Sequence, residues 1–412
     1  LRRKSLSDRG RRFLTQLVYG TVRHRLLCDY VLSPLLLQPL NRLPSAVLAI
    51  LRMGVYQSLF LNQVTFPAMV HTSVDLAKKR SHTGMAKLAN AVLKRVPQSI
   101  DEIALPSREE KPVEYLRVRY SMPRWIVDGW VKEFGFEKAE AMCEASDEQA
   151  PVTIRANTLR TDVEGLTQRL VKTGFLVEKR TPVPEELTLL DGPPPVKSKL
   201  FLEGHFLLQD PASMLPAHLL EPKPGHRVLD MNAAPGGKTT HIGQLAGNAA
   251  WIAAMDINPR KLGLIEENAE RLGIEGIRLL AGDGANPPVD GKFNRVLVDA
   301  PCSGLGTLRR HPDLKWRLKL EDLAELSRIQ AKLLRNALAL CDNGGLVVYS
   351  VCTFSKAETE GVAEAVLSDG AAVPEDGAEW LNPWKIRPGM YRILPEKGGL
   401  DGFFLMRLRK AS

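Results

Sequence analysis

Long apolar runs are missing from this chain. No stretch of about 18 uncharged apolar residues occurs; the nearest, Val47–Leu61, is interrupted by Arg52. A membrane span is therefore not expected, and no signal peptide with an apolar core and small-residue cleavage site is recognisable. Cysteine is scarce, with five (Cys28, Cys143, Cys302, Cys341, Cys352) in 412 residues. An odd number at scattered spacing makes neither a disulfide framework nor a zinc site. No metal is expected, and a reducing, cytoplasmic setting fits. Acids are nearly absent from one end. The first hundred residues hold three (Asp8, Asp29, Asp75) against sixteen Lys and Arg, a net +13, and the remaining 312 carry 40 bases and 44 acids. One end of the molecule therefore suits a polyanion. Repeats and low-complexity tracts are absent too.

What is present divides into three. Residues 1–110 read as an all-α bundle: "DRGRRFLTQLVYGTVRHRLLCDYVLSPLL" repeats apolar residues three and four apart, and three more such segments follow, punctuated by Pro39, Pro44, Pro67 and Gly84. Its exposed faces would carry Arg2, Arg3, Arg9, Arg11, Arg12, Arg23, Arg25, Lys78, Lys79, Arg80, Lys94 and Arg95. Residues 111–205 read as a small α+β domain, with "PVTIRANT" a strand and "DVEGLTQRLVKTG" a helix. Residues 206–412 alternate strand and helix, which means a parallel, Rossmann-like α/β sheet closed by a C-terminal hairpin. In "LEDLAELSRIQAKLLRNALALC" the core stripe is expected at Leu323, Leu326, Ile329, Leu333, Ala337 and Leu340.

Ligands of such sheets bind past the carboxyl ends of the strands. There stands "DMNAAPGGKTTH" (230–241), whose Ala233, Ala234, Gly236 and Gly237 let a ligand approach the backbone. The next strand ends in Asp256, 26 residues after Asp230, suited to ribose hydroxyls, and Asp283 ends the third. "NAAPGGKT" nearly spells a P-loop, but Asn232 stands where the first glycine belongs, and an NTPase gives no reason for Asp256, Asp283 or the cysteines. A nucleoside ligand without a polyphosphate fits better, with S-adenosylmethionine the candidate.

Cys302 follows "VLVDAP" and Cys352 follows "LVVYSV". Sequential strands joined by one helix are expected to be neighbours, so both thiols should leave one sheet edge beside that cleft. Two thiols beside Asp299 suit methylation at carbon 5 of a pyrimidine. A thiolate adding to carbon 6 makes carbon 5 nucleophilic, an acid serves the ring nitrogen, and a base removes the carbon 5 proton. The base must leave its stack or come from a single-stranded loop.

"DMNAAPGGKTTH", "MDINPRKL", "DAPCSGLG" and "YSVCTF" resemble the RNA (cytosine-5) methyltransferases. "LLQDPASML", "RRHPDLKW" (309–316) and "DGFF" resemble the RsmB/Sun branch, which modifies 16S ribosomal RNA, and "QLVYGTVRHR" resembles its N-terminal NusB-like RNA-binding domain. The resemblance implies that Cys352 is the nucleophile and that Cys302 assists proton removal or product release. It implies that Lys238 orients the base or Asp299. Asn232, Ala233, Ala234, Pro235, Gly236, Gly237, Lys238, Asp256, Asp283 and Asp299 would hold S-adenosylmethionine. Arg309, Arg310 and His311, with Arg11, Arg12, Arg23 and Arg25, would meet RNA, while Trp316 would stack on a base or pack in the core. Asn232 stands where the family usually has Cys and Val351 where it usually has Thr; neither removes a required group. The implied partner is 16S rRNA or a small-subunit assembly intermediate, met by a monomer. Transfer RNA as substrate, and a noncatalytic assembly factor, are the alternatives.

Overall fold

The computed structural model describes residues 6–411; Arg2 and Arg3 lie outside them. The chain forms two units. One holds the residues up to Asp147 together with His311–Arg317, and the other holds residues 148–310 and those from 318 on.

The first unit is helical: α1 (Asp8–Arg23), α2 (Arg25–Leu32), α3 (Ser45–Phe60), α4 (Phe66–Arg80), α5 (Thr83–Leu93), α6 (Pro112–Arg119), α7 (Arg124–Phe134) and α8 (Phe136–Asp147). Leu27, Leu32, Leu51, Val55 and Leu93 are buried at its centre. The expected all-α bundle is here, and contacts group α6–α8 with it rather than with the small sheet that follows.

The second unit contains two sheets. The smaller has β1 (Val152–Ala156), β2 (Leu176–Glu178), β3 (Glu186–Asp191) and β4 (Phe206–Leu208) in antiparallel order β2-β3-β1-β4. It packs on α9 (Val163–Lys172) through Ile154, Leu166, Leu170 and Phe206. The short α10 (Lys199–Leu202) and α11 (Leu215–Leu220) flank β4.

The larger sheet starts with β5 (Arg227–Asp230), α12 (Gly237–Leu245), β6 (Trp251–Asp256), α13 (Pro259–Leu272), β7 (Ile277–Ala281) and β8 (Phe293–Asp299). The chain then gives α14 (Leu314–Arg317) to the helical unit and returns for α15 (Leu320–Leu340), β9 (Cys341–Val351) and α16 (Glu360–Leu367). It ends with β10 (Ala372–Pro374), β11 (Lys385–Arg387), β12 (Met390–Ile393) and β13 (Phe403–Lys410). The order is β11-β12-β13-β9-β8-β5-β6-β7, with β10 beside β13. Strands β5 to β9 pair in parallel, and the expected C-terminal hairpin, β12 with β13, adds to β9 antiparallel.

Both faces of this sheet are covered, which is why its strands read as near-continuous apolar runs. Val296 and Val298 of β8 face the layer of α15, while Leu297 between them faces the layer that includes Ile242 of α12. The α15 stripe differs from expectation at one turn: Ile329 is exposed and Gln330 is fully buried. The Gln330 amide has partners there, donating to the Pro301 carbonyl (2.9 Å) and to Glu358 (3.1 Å).

Two glycines are required by close approach. Gly236, at φ +99°, would place a Cβ 2.9 Å from the Ile265 Cα. Gly306 donates its amide to the Cys352 carbonyl (3.0 Å) and accepts from the Gly402 amide (2.8 Å); a Cβ there would overlap the Gly402 carbonyl. Gly306→Ala should therefore destabilise the second unit by about 1–3 kcal/mol. Gly129→Ala on α7, where a Cβ meets nothing within 4 Å, should be neutral or stabilising by up to ~1 kcal/mol. Thermal unfolding of both variants beside the parent checks the contrast.

Candidate active site

Five strand ends supply the site. Strand order reverses at β5, which has β6 on one side and β8 on the other, and a cleft opens at such a switch point. Strands β5, β6 and β8 end in Asp230, Asp256 and Asp299; Asp283 lies two residues past β7, and Cys352 directly follows β9. The register sets Asp299 opposite Ser350. Apolar strand interiors with polar ends produce this row, because only the ends reach solvent and ligand.

The two thiols meet. Cys302 Sγ and Cys352 Sγ are 3.2 Å apart, and both residues are half-buried. Contact with the Cys352 sulfur, then burial, pushes the Cys302 thiol well above its ordinary pKa. Cys28, Cys143 and Cys341 are buried, where a thiol behaves as a small apolar group.

Beside them, Lys238 Nζ donates to Asp299 Oδ2 (2.6 Å), and the Ser350 hydroxyl donates to Asp299 Oδ1 (2.7 Å). Burial alone would lower the Lys238 pKa, but the Asp299 carboxylate outweighs it and holds the ammonium above its usual value. Below the pair, Thr239 Oγ1 donates to Asp230 Oδ2 (2.7 Å), while burial pushes Asp230 up to about 7.

A cavity of 240 Å³ lies at this edge, lined by Asn232, Ala233, Ala234, Pro235, Gly237, Lys238 and Asp299, and on its other side by Leu208, Gln209, Asp210 and Ser213. Asn232 Oδ1 is buried and has no hydrogen-bond partner among the described residues. An orphaned acceptor in a cradle of small residues fits a ligand that brings its own donors, such as an adenosine or an amino acid. Asp256 uses both oxygens on backbone, accepting from the amides of Ala234 (3.2 Å) and Asn258 (2.9 Å). It thereby fixes the loop while keeping lone pairs for further donors. Asp283 accepts from the Ala285 amide (2.8 Å). Gly236, Asp256, Asp283 and the two cysteines are not among the residues lining the cavity.

A family model described as 16S rRNA methyltransferase RsmB/F matches residues 217–409, the NusB family matches 1–98, and a ferredoxin-like domain of RsmF/B-like methyltransferases matches 122–197. The probable ribosomal RNA small subunit methyltransferase B of Bacillus subtilis (strain 168) is 36% identical over 420 residues, covering 100% of this chain and 93% of that protein. The chain belongs to the RsmB/F family. The Thermus thermophilus ribosomal RNA small subunit methyltransferase B is 35% identical over 415 residues, covering 100% of this chain and 92% of its own. Among solved structures, PH0851 matches with a TM-score of 0.82 at 28% identity over 99% of this chain and 92% of that one. NSun6 from Pyrococcus horikoshii, solved with SFG, matches with 0.64 at 26% identity over 70% and 98%.

Within this RsmB/F chain the "RRHPDLKW" segment departs from expectation. The Arg309 side chain is only 1% exposed and pairs with Asp401, itself 1% exposed. Arg310 pairs with Asp401 and, at 2.7 Å, with Asp210. Arg309 is therefore a buried structural cation, not a surface contact for phosphate, and the charge of Arg310 is already shared between two acids. Sequence reasoning missed this because the acids lie 92 and 100 residues away in the chain. His311 is exposed, within the segment that joins the helical unit. Trp316 donates its Nε1 to the Val22 carbonyl (2.7 Å), with Arg25 over its ring (5.3 Å), so it packs rather than waiting for a base. Of the helical arginines, Arg12 and Arg25 are exposed; Arg11 is half-buried and pairs with Asp8. Burial lowers the pKa of Arg23.

Gln209, Asp210, Ser213 and Arg155 were also missed as site residues. Fully buried Arg155 of β1 donates to the carbonyl of Gly237 (2.6 Å), to Thr240 Oγ1 (3.0 Å) and to Gln209, so the small sheet grips the cradle. Glu185, His218 and His241 place ligand-type atoms within 4.8 Å of one another. The His218 Nε2–Glu185 Oε2 hydrogen bond (2.9 Å) occupies that carboxylate, and Arg155 beside His241 opposes further positive charge.

Two outcomes follow from these burials. Arg309→Met should destabilise the second unit by about 1–3 kcal/mol, since it removes one of the two cations on buried Asp401 and the donor to the Gly399 carbonyl, leaving Asp401 to Arg310 alone, whereas Arg12→Ala should stay within about 0.5 kcal/mol; denaturant titration reads both. Burial, then the Arg155 charge, lowers His241 to about 3, while an unfolded His titrates near about 6.5. Between those values the unfolded chain binds the extra proton, so stability is complete above about pH 6.5 and is lost on acidification. His241→Asn should flatten that slope in melts at about pH 7.5 and 5.5.

Proposed function

We propose that the protein transfers a methyl group from S-adenosylmethionine to carbon 5 of a cytosine in 16S rRNA, through a covalent adduct between Cys352 and carbon 6. The observation that carries this reading is the pair of half-buried sulfurs 3.2 Å apart beside the Lys238–Asp299 ion pair. S-adenosylmethionine, when bound, supplies an electrophilic methyl group. Asn232, Ala233, Ala234, Pro235, Gly236 and Gly237, with Asp256 and Asp283, would hold it.

The chain's own groups divide the remaining work. Cys352 Sγ, as thiolate, forms the bond to carbon 6 and pushes electrons toward the ring nitrogen. Asp299, fixed at both oxygens by Lys238 and Ser350, takes a proton from the Lys238 ammonium and donates it to that nitrogen as charge builds. Carbon 5 then carries the electron density that takes the methyl group. Once Cys352 is bonded to carbon 6, Cys302 Sγ gives its own proton to water and, as thiolate, takes the carbon 5 proton; the electron pair left behind expels Cys352 as thiolate and restores the aromatic ring.

A cytosine must leave its stack to reach these sulfurs. The exposed Arg9, Arg12, Arg25, Lys78, Lys79, Arg80, Lys94 and Arg95 of the helical unit suit phosphate contact. We assign the partner as 16S rRNA or a small-subunit assembly intermediate, bound by a monomer in the cytoplasm. No helix among the described residues is long and apolar enough to cross a membrane.

Tritiated methyl transfer to small-subunit RNA tests the reading. Cys352→Ala should lose activity by roughly 10⁴-fold or more while still binding S-adenosylmethionine in calorimetry. Cys302→Ala should accumulate an RNA adduct that survives denaturing electrophoresis. Full activity in Cys352→Ala overturns the nucleophile assignment, and absence of the adduct overturns the division of labour.

A further inference from the structure

Six residues after Cys352 stands an acid that the mechanism above does not use. Glu358 is fully buried, and among the described residues no Lys or Arg pairs with it. Four donors converge on its carboxylate. The Ser303 amide (2.8 Å) and the Gln330 side-chain amide (3.1 Å) reach Oε1; the hydroxyls of Ser303 (2.6 Å) and Thr353 (3.4 Å) reach Oε2. Gln330 also holds the Pro301 carbonyl (2.9 Å). The grip therefore closes on both residues flanking Cys302 and on the residue following Cys352. Two amides at Oε1, which can only donate, and two hydroxyls free to turn their protons to Oε2 make a set that suits an ionised carboxylate. Burying a charge without a cation is expensive, and a neutral Gln could bridge the same loops, so the negative charge itself calls for a reason.

That reason lies in where the charges stand. The two sulfurs are near enough to share one proton, the thiol of one donating to the thiolate of the other. Lys238, reaching in from α12, stands close enough to Cys352 for the two charges to couple. Glu358 reaches the Cys302 loop through the Ser303 amide and hydroxyl, and its charge adds to the contact with Cys352 and the burial that raise the Cys302 thiol; the Tyr349 phenol on β9 lies near the same sulfur. Asp299 and Asp230, at the ends of β8 and β5, face Lys238. The cation therefore favours an anion at Cys352, and the buried carboxylate opposes one at Cys302.

We propose that Glu358 is a positioning residue that keeps the shared proton on Cys302 and so leaves the thiolate on Cys352. The clamp sets the sulfur separation, and its charge sets the direction of the hydrogen bond between them. This deepens the reading of Cys352 as nucleophile and rests on it, but its test needs no methyl transfer.

The full chain is treated with limiting iodoacetamide at about pH 7.5, and the Cys302 and Cys352 peptides are quantified by mass spectrometry. Cys352 should be alkylated at least about tenfold faster than Cys302, since the thiolate is the form that reacts. Glu358→Gln keeps the size of the clamp and removes its charge, so the ratio should fall toward one. Ser303→Ala removes one clamp hydroxyl and keeps the charge, so the preference for Cys352 should persist. Equal or inverted alkylation in the parent protein overturns the proposal even if Glu358→Gln fails to fold. An unchanged ratio in folded Glu358→Gln overturns it, and so does an equal collapse in Ser303→Ala. Sorted alkylation without methyl transfer to any RNA would sink the methyltransferase reading and leave this one standing; methyl transfer with unsorted thiols would do the reverse.

Discussion

Asp299 at the end of β8 lies opposite Ser350 near the end of β9, and that ladder fixes where the loops carrying Cys302 and Cys352 leave the sheet. The Ala300 amide continues the pairing to the Ser350 carbonyl (3.0 Å), and Gly306 returns to bind the Cys352 carbonyl (3.0 Å). A slip of one residue would move a strand by about 3.3 Å and turn its side chains to the other face. That displacement is as large as the gap between the sulfurs. Register is therefore the quantity the fold has to protect, and it does so by burying both faces. Val296 and Val298 sit in one apolar layer and Leu297 in the other, so a shifted strand would have to repack both close-packed layers at once.

Electrostatics then acts on what the register delivers. Lys238 is anchored on the first turn of α12, whose start depends on the positive φ of Gly236. Its ammonium bridges the end of β5 to the end of β8 by pairing with Asp299. At an effective dielectric constant of about 20, a unit charge pair at 4 Å is worth about 4 kcal/mol. This is enough to keep Lys238 charged against its burial, in accord with its raised pKa. The same helix start is held from behind by Arg155. A residue of the small sheet thus sets the position of a residue proposed to serve the reacting base.

How far the sequence foretold this varies with the range of the interaction. The row of acids and thiols was legible because each follows an apolar run in the chain, a local pattern. Their adjacency was legible because strands joined by one helix tend to pair. The fate of Arg309 was not, since its partner Asp401 lies 92 residues away and an arginine pair beside His311 reads locally as a phosphate site. The burial of Gln330 in place of Ile329 has the same origin: its partners, Pro301 and Glu358, lie in separate loops. The passage of His311–Arg317 into the helical unit depends on Trp316 reaching the Val22 carbonyl, 294 residues distant. Periodicity reports on a helix and its own face; it carries nothing about which polar group waits on the other side.

The four charges of Arg309, Arg310, Asp210 and Asp401 show what such long-range pairs accomplish. Burying them yields little net stability, because desolvation offsets most of the attraction. Their effect is geometric. Asp210 belongs to the wall of the 240 Å³ cavity, and Asp401 lies just before β13, where Gly402 meets Gly306. Arg310 binds both acids, so it ties the cavity wall to the turn that carries the Cys352 carbonyl through Gly306. Apolar residues of equal volume could fill that space, but they would let wall and turn slide past each other. Opposed charges with fixed hydrogen-bond directions allow one arrangement, and in that arrangement the proposed cofactor cradle and the thiol loops keep a set separation. Residues that looked suited to binding RNA thus act one step earlier, by holding together the two sides of the site where it would react.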